Sequence, residues 1–290
     1  MKKNIILKIS FILFLAFSLN AGVTKVVVSQ DFEDESIFQW GQAFDLTGIG
    51  DGTTSAGLWK NYTLAGNWTP KVYYDNSPFS EGKQCVNSVR GSKYGSGCVL
   101  GYRTNDSVSG NFISQISLLV TQPQCQFSLY LVDASKPTST TGVGIAFYSG
   151  TLHLYDNKVW KPRSSGVALG EWFKLTIVGN TYSGTYSAYV DFGSWQGDLG
   201  NASFDVTGLQ NVAGLQVMPW VAGYEVYLDD FNLMEGSLPL SSCSDINILG
   251  FGSKKDFNND CYVNFKDFAV LSEDWLSCMD PADAECITLW

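Results

Sequence analysis

Between about Val26 and Met234 the sequence is a succession of short alternating or β-branched runs, and this constrains the fold more than any other feature. Lys25–Gln30, Phe127–Val132, Gly144–Tyr148, Trp172–Val178, Tyr186–Asp191, Gly214–Met218 and Glu225–Leu233 are such runs, set apart by Gly, Asn, Asp, Ser and Pro. None sustains a 3.6-residue apolar period over three turns, so a helical domain is excluded here. Roughly twelve to fourteen strands over this length suit a two-sheet sandwich, with alternate residues of each strand facing a shared core.

The two ends of the chain differ from this middle. Residues 1–21 read as an export signal: Lys2 and Lys3 give a positive start, Ile9 to Leu19 an apolar core and Ala21 a small residue before the cleavage point. That core is about half the length needed to span a bilayer, and no later stretch is apolar enough, so no membrane span is expected. Residues 237–242 read as a Gly/Ser/Pro linker between a sandwich at 22–236 and a small module at 243–290. The formal net charge is -10, and the last 54 residues hold 9 acidic against 3 basic side chains. Such a balance repels phosphate backbones and attracts cations, which argues against nucleic acid as a partner.

Export makes cysteines readable as disulfide candidates. Cys85 and Cys98 bracket a Gly/Ser-rich stretch that a bridge can close, and Cys243, Cys261, Cys278 and Cys286 crowd the tail. Cys125 has no local partner, and the total of seven leaves at least one thiol free or intermolecular. The single His, His153, cannot build a multi-His metal site.

The tail carries the most specific motif. Asp256, Asn258, Asp260, the Tyr262 carbonyl, Asn264 and Asp267 fall at positions one, three, five, seven, nine and twelve of a loop, the spacing with which hard oxygens wrap calcium. Phe265, Phe268, Ala269, Trp275 and Leu276 then recur at helical intervals, predicting an exiting helix of about three turns. The preceding Ile248 to Gly252 carries two glycines and makes a poor entering helix.

A calcium loop with only an exiting helix resembles the repeat of type I dockerins. That resemblance implies Ca2+ as the cofactor, membership of secreted bacterial polysaccharide-degrading machinery, and a cohesin-like or cell-surface partner. This chain departs from the pattern in having one repeat, Cys261 where glycine is usual, Asp267 at the twelfth position, and Phe265 and Lys266 where small hydroxyl residues are common. In the middle region, Gly170 to Ile177 followed by Tyr186 to Gly193 resembles the hairpin of concanavalin A-like and laminin G-like sandwiches. Gln30 to Asp34 and Tyr227 to Phe231 are similar to the first and last strands of jelly-roll carbohydrate-binding modules. Those likenesses imply a mainly β, two-sheet jelly-roll or concanavalin-like sandwich whose first and last strands are neighbours, with Glu33 and Asp230 as candidates for a structural calcium.

For function, loop aromatics suit the apolar faces of sugar rings, and Trp59, Trp68, Tyr74 and Trp160 are the candidate glycan-binding residues. No E-x-D-x-x-E hydrolase pattern is present, and Asp229 and Asp230, as neighbours on one strand, are expected on opposite faces. His153, expected to share a face with Thr151 and Tyr155, is the one pair-forming candidate for lyase chemistry, and no residue is assigned as catalytic. The sequence thus points to a secreted, calcium-binding protein that binds extracellular polysaccharide. A divergent glycoside hydrolase or polysaccharide lyase, and a surface adhesion protein, stand as alternatives.

Overall fold

The computed structural model describes residues 22–30, 32–33, 36–39, 42–43, 48–53, 57–61, 71–74, 84–89, 100–133, 135–136, 140, 142–165, 169–192, 196–220, 225–237, 257–258, 260 and 262–275. The export signal, the linker 238–242, Trp68, Asp256, Cys98, Cys243, Cys261, Cys278 and Cys286 lie outside them. Cys85 and Tyr74 fall in described strands, but their side chains lie outside the described residues. Contacts divide the chain into two units, Met1–Ser237 and Leu238–Trp290.

The first unit is a sandwich of two antiparallel sheets. One sheet runs β14 (Gln196–Ser203), β13 (Thr185–Asp191), β12 (Trp172–Asn180), β7 (Asn111–Val120), β16 (Glu225–Ser237), β5 (Gln84–Val89) and β4 (Lys71–Tyr74), with β1 (Gly22–Gln30) also on β16. The other runs β11 (Val159–Ser165), β10 (Thr151–Asp156), β9 (Gly144–Tyr148), β8 (Phe127–Asp133), β15 (Val212–Pro219), β6 (Leu100–Val108), β3 (Gly57–Asn61) and β2 (Ile49–Thr53). The alternating runs of the sequence are therefore strands, and the first and last strands pair from Gly22 opposite Ser237 to Gln30 opposite Phe231.

Strand parity builds the core. Leu129, Leu131, Ile145, Phe147, Leu152, Leu154, Leu215 and Val217 from one sheet meet Ile116, Leu118, Phe173, Leu175, Ile177, Leu228 and Leu233 from the other, all buried. At one end Phe32, Phe38, Trp59, Tyr102 and Phe231 form a knot of rings, with centroids 4.8 Å apart for Trp59 and Tyr102 and 5.3 Å for Tyr102 and Phe231. Trp59 is 0% exposed. Its expected place on a sugar-binding loop is thus corrected: it sits on β3, and alternation turns Leu58 and Lys60 away from the core and Trp59 into it. Burial of so large an apolar ring is the stronger driving force.

Gly57 lets this knot close. A Cβ there would stand 1.9 Å from the Tyr102 ring, and φ of 55° lies in the left-handed region that other residues avoid.

β16 shows a second departure from simple alternation. It pairs with β7 along both its halves but slips register between Asp229 and Asn232, where Asp230 has φ of 49°. On its other side β5 takes Glu225 to Leu228 and β1 takes Phe231 to Ser237. A bulge of this kind breaks strict parity, so the expectation that Asp229 and Asp230 simply face opposite ways does not hold. The Asp229 carboxylate instead accepts the Asp230 backbone N–H at 2.8 Å, and Ser117 Oγ donates to Asp230 Oδ2 at 2.9 Å.

In the second unit one helix is described, α1 (Phe265–Trp275), which fits the expected exiting helix of three turns. Among the described residues no helix is long and apolar enough to cross a membrane.

Candidate functional site

On the outer face of the second sheet, strands β8 to β11 assemble an aromatic cleft. Parity sends Ile145 and Phe147 of β9 inward, so Ala146 and Tyr148 face out; on β10 Leu152 and Leu154 go in and His153 and Tyr155 face out. The register is set by two tight turns. Ser149 and Gly150 have φ of 50° and 75°, and Asn157 and Lys158 have φ of 50° and 67°, so each pair of strands is joined by two residues in left-handed conformation. This is the turn whose twist matches that of paired strands. It places His153 opposite Ala146 and Tyr155 opposite Trp160.

The cleft, of about 270 Å³, is lined by Ala146, Tyr148, His153, Trp160 and Trp220. Ala146 is the small residue on its floor, and Tyr148, 46% exposed, stands at its rim. Rings follow one another around it: Tyr148 and His153 at 6.0 Å, Tyr148 and Trp220 at 6.3 Å, Trp160 and Trp220 at 6.0 Å, Tyr155 and Trp160 at 4.8 Å. Tyr130, nearly buried, backs Trp160 at 5.8 Å.

Trp220 is held from two sides. Its backbone N–H donates to the Gln126 carbonyl at 2.6 Å and its indole N–H to Ser128 Oγ at 3.0 Å. Burial first, with the neighbouring Tyr155 adding and a Ser128 hydrogen bond opposing, pushes the Tyr130 phenol up to about 12. It therefore stays neutral near pH 7 and is no base.

Among the described residues no carboxylate, Lys or Arg lines the cleft. The charges nearest in sequence are occupied elsewhere: Lys161 pairs with Asp156 at 2.6 Å, and Asp156 also accepts the Ser203 backbone N–H at 3.0 Å. The Lys161 hydrogen bond holds the Asp156 carboxyl below its usual range. These contacts tie the β10–β11 hairpin to β14 and are structural.

Of the residues expected to touch sugar, the structure places Trp160 in this cleft and Trp59 in the core, while Trp68 and the Tyr74 side chain lie outside the described residues. His153 and Tyr155 share a face as expected. Tyr148 was not anticipated, although its parity with Ala146 and the following Ser149-Gly150 turn mark it as outward-facing; nor was Tyr130, which alternates with Leu129 and Leu131.

Glu33 is half-buried three residues after Gln30, the last residue of β1 paired with β16. Among the described residues no group of three or more His, Cys, Asp or Glu gathers where a metal ion could be held. Cys125 is buried and free, its Sγ 3.6 Å from the Glu225 carbonyl, and burial pushes its thiol up to about 12.

The tail loop is ordered by its own oxygens. Asn258, Asp260 and Asn264 each accept the backbone N–H two residues on, at 3.0, 3.0 and 2.8 Å. Asn264 thereby caps α1, and the buried Asp267 reaches back to the Asn264 N–H at 2.6 Å and to the Asn258 N–H at 3.3 Å. This reciprocal arrangement is a capping box. The same backbone donors, Asn264 first, hold the Asp267 carboxyl below its usual range. The described donor set is Asn258, Asp260, Asn264, Asp267 and the Tyr262 carbonyl, all hard oxygens of the type calcium takes. Lys266 Nζ stands 3.4 Å from Asp260 Oδ2. Phe257, Tyr262, Val263, Phe265 and Phe268 are exposed around the loop, Phe265 at 90%.

No protein-family model matches the chain, and no curated protein does. Among solved structures it is similar to a sialidase, at 10% identity and a TM-score of 0.41 over 77% of this chain and 19% of that one. It is also similar to the cellulose induced protein Cip1, at 10% identity and a TM-score of 0.45 over 63% and 94%. A third is the lectin UEA-II complexed with galactose, at 14% identity and a TM-score of 0.39 over 62% and 99%. The chain spans about a fifth of the length of the sialidase. These likenesses are distant, and the sandwich described above stands on the chain's own sheets.

Proposed function

We propose that the sandwich binds extracellular polysaccharide in the cleft formed by Tyr148, His153, Trp160 and Trp220, without cleaving it. The observation that carries this reading is the band of outward-facing rings around a cleft of about 270 Å³. That volume lies just below the range of about 300–1,000 Å³ typical of small-molecule sites, a size for one or two sugar units. Sugar rings present C–H faces to aromatic rings, and rings held by paired strands and by the Ser128 contact lose little freedom on binding.

Hydrolysis needs two carboxyl groups across the scissile bond, and among the described residues none lines the cleft. A lyase must stabilise the carboxylate beside the carbon it deprotonates, and the described lining residues present no cation for that. The Tyr148 and His153 rings are close enough to be a base and acid, but this missing cation favours binding.

In the same reading the protein is exported, and the tail is a calcium-binding, dockerin-like module that attaches the chain to a cohesin-like or cell-surface partner. The oxygens of Asn258, Asp260, Asn264, Asp267 and the Tyr262 carbonyl fit such an ion, with Asp256 completing the set. The exposed Phe265 and Phe268 supply an apolar contact for the partner.

The test is glycan-array binding of the mature protein with and without EDTA, together with product analysis on every bound polysaccharide. Retention on at least one glycan with no new reducing or unsaturated ends is expected. New ends that disappear in Trp160→Ala would replace this reading with an enzymatic one.

A further inference from the structure

We infer that His153 selects the ligand of the aromatic cleft, admitting a neutral sugar through a hydroxyl and rejecting a uronate. The inference rests on the sugar-binding reading above and goes further, to the chemical class of the sugar. His153 Nδ1 lies 3.2 Å from the Thr151 carbonyl oxygen. A carbonyl only accepts, so in the neutral ring the hydrogen sits on Nδ1 and Nε2 keeps a bare lone pair.

The other lining groups give that lone pair its importance. Ala146 offers no polar side-chain atom, and the indoles of Trp160 and Trp220 are donors only, that of Trp220 already committed to Ser128. Among the described lining residues, apart from the Tyr148 hydroxyl at the rim, Nε2 is the side-chain acceptor a ligand in the cleft can meet. A sugar hydroxyl has a hydrogen to give it. A carboxylate has none to give the neutral imidazole, and it would meet that lone pair among the rings of Tyr148, Trp160 and Trp220. Among the described residues no cation compensates: Lys161 lies opposite Leu154, on the inward parity of its strand, and pairs with Asp156, and Arg163 donates to the Asn201 carbonyl at 2.8 Å.

A purely apolar ligand is disfavoured for a different reason. It would cover Nε2 without a partner, and an acceptor buried unpaired in that way opposes binding.

The experiment is calorimetric titration of the mature chain with neutral hexaoses (cello-, xylo- and mannohexaose) and with oligogalacturonate and oligoalginate of similar length. The wild type is expected to bind at least one neutral hexaose and to bind both uronates at least tenfold more weakly. His153→Phe keeps the aromatic wall and removes the acceptor, and is expected to lose at least tenfold on the neutral ligand; His153→Gln, which keeps a hydrogen-bonding group at the same reach, recovers part of it. Uronate binding as tight as neutral binding overturns the inference without recourse to any variant. Unchanged affinity in His153→Phe overturns it too, and if Trp160→Ala is weakened in the same series the sugar-binding reading survives alone. A wild type that binds none of these ligands or any array glycan overturns both.

Discussion

Two clusters of rings, each with members on the second sheet, meet opposite fates. The inner knot of Phe32, Phe38, Trp59, Tyr102 and Phe231 and the outer band of Tyr130, Tyr148, Tyr155, Trp160 and Trp220 both have nearest centroids 4.8 Å apart. Ring geometry therefore does not separate a core from a site. What separates them is the face of the strand: Trp59 alternates with Leu58 and Lys60 toward the opposing sheet, whereas Tyr148 and His153 alternate with Phe147 and Leu152 away from it. The inner rings are completed by the protein's own second layer, and the outer ones leave a cleft for a ligand to complete.

The comparison can be broken most forcefully at Trp59. Trp59→Ala empties the largest side chain of the inner knot, and a loss of about 3–5 kcal/mol in denaturant unfolding is expected. A loss under 1 kcal/mol would mean that this ring is no more structural than the outer ones. Gly57→Ala acts on the same knot from the backbone. Its methyl group would meet the Tyr102 ring at 1.9 Å in a left-handed conformation, so about 2–4 kcal/mol is expected from overpacking and strain.

Ser128→Ala probes the outer band. It removes the acceptor of the Trp220 indole, and about 1 kcal/mol of stability with a few-fold loss of glycan affinity is expected. Equal losses in wild-type and Trp220→Ala backgrounds would show that Ser128 does not act through Trp220. The smallest effect is expected in the tail. Because the folded Asp267 carboxyl lies below its ordinary value of 3.8, its stabilisation is complete above that value and lost as the pH falls through the lower folded one. Circular dichroism of residues 238–290 attached to the sandwich should show α1 melting in that acid range in wild type, and already weakened at neutral pH in Asp267→Asn. No difference between the two would contradict the capping role.

The strands were legible because hydrophobic alternation is local: Gly144–Tyr148, Trp172–Val178 and Tyr186–Asp191 each appear in the structure as part of one strand. The pairing of the first strand with the last was legible only through resemblance, since nothing local in Val26 or Leu233 names a partner some two hundred residues away. Trp59 was misplaced because its polar and glycine-rich neighbours look like loop, although the five residues Gly57–Asn61 already carry the alternation that buries it. The bulge at Asp229 and Asp230 left no signal, because no glycine marks its left-handed residue. Of the site, Trp160 was legible as an aromatic beside a turn, and the shared face of His153 and Tyr155 from parity. The cleft itself could not, because it needs the hairpin register that brings β9, β10 and β11 side by side and the long-range Ser128 contact that fixes Trp220.

The central claim is that the outer rings are there for a ligand and the inner ones for the fold. Trp160→Ala, titrated with the tightest-binding glycan and melted beside the wild type, tests it most directly. An affinity loss of at least tenfold, about 1.4 kcal/mol, is expected, with the melting temperature within a few degrees of wild type. Unchanged affinity, or a loss of stability as large as that of Trp59→Ala, would contradict it.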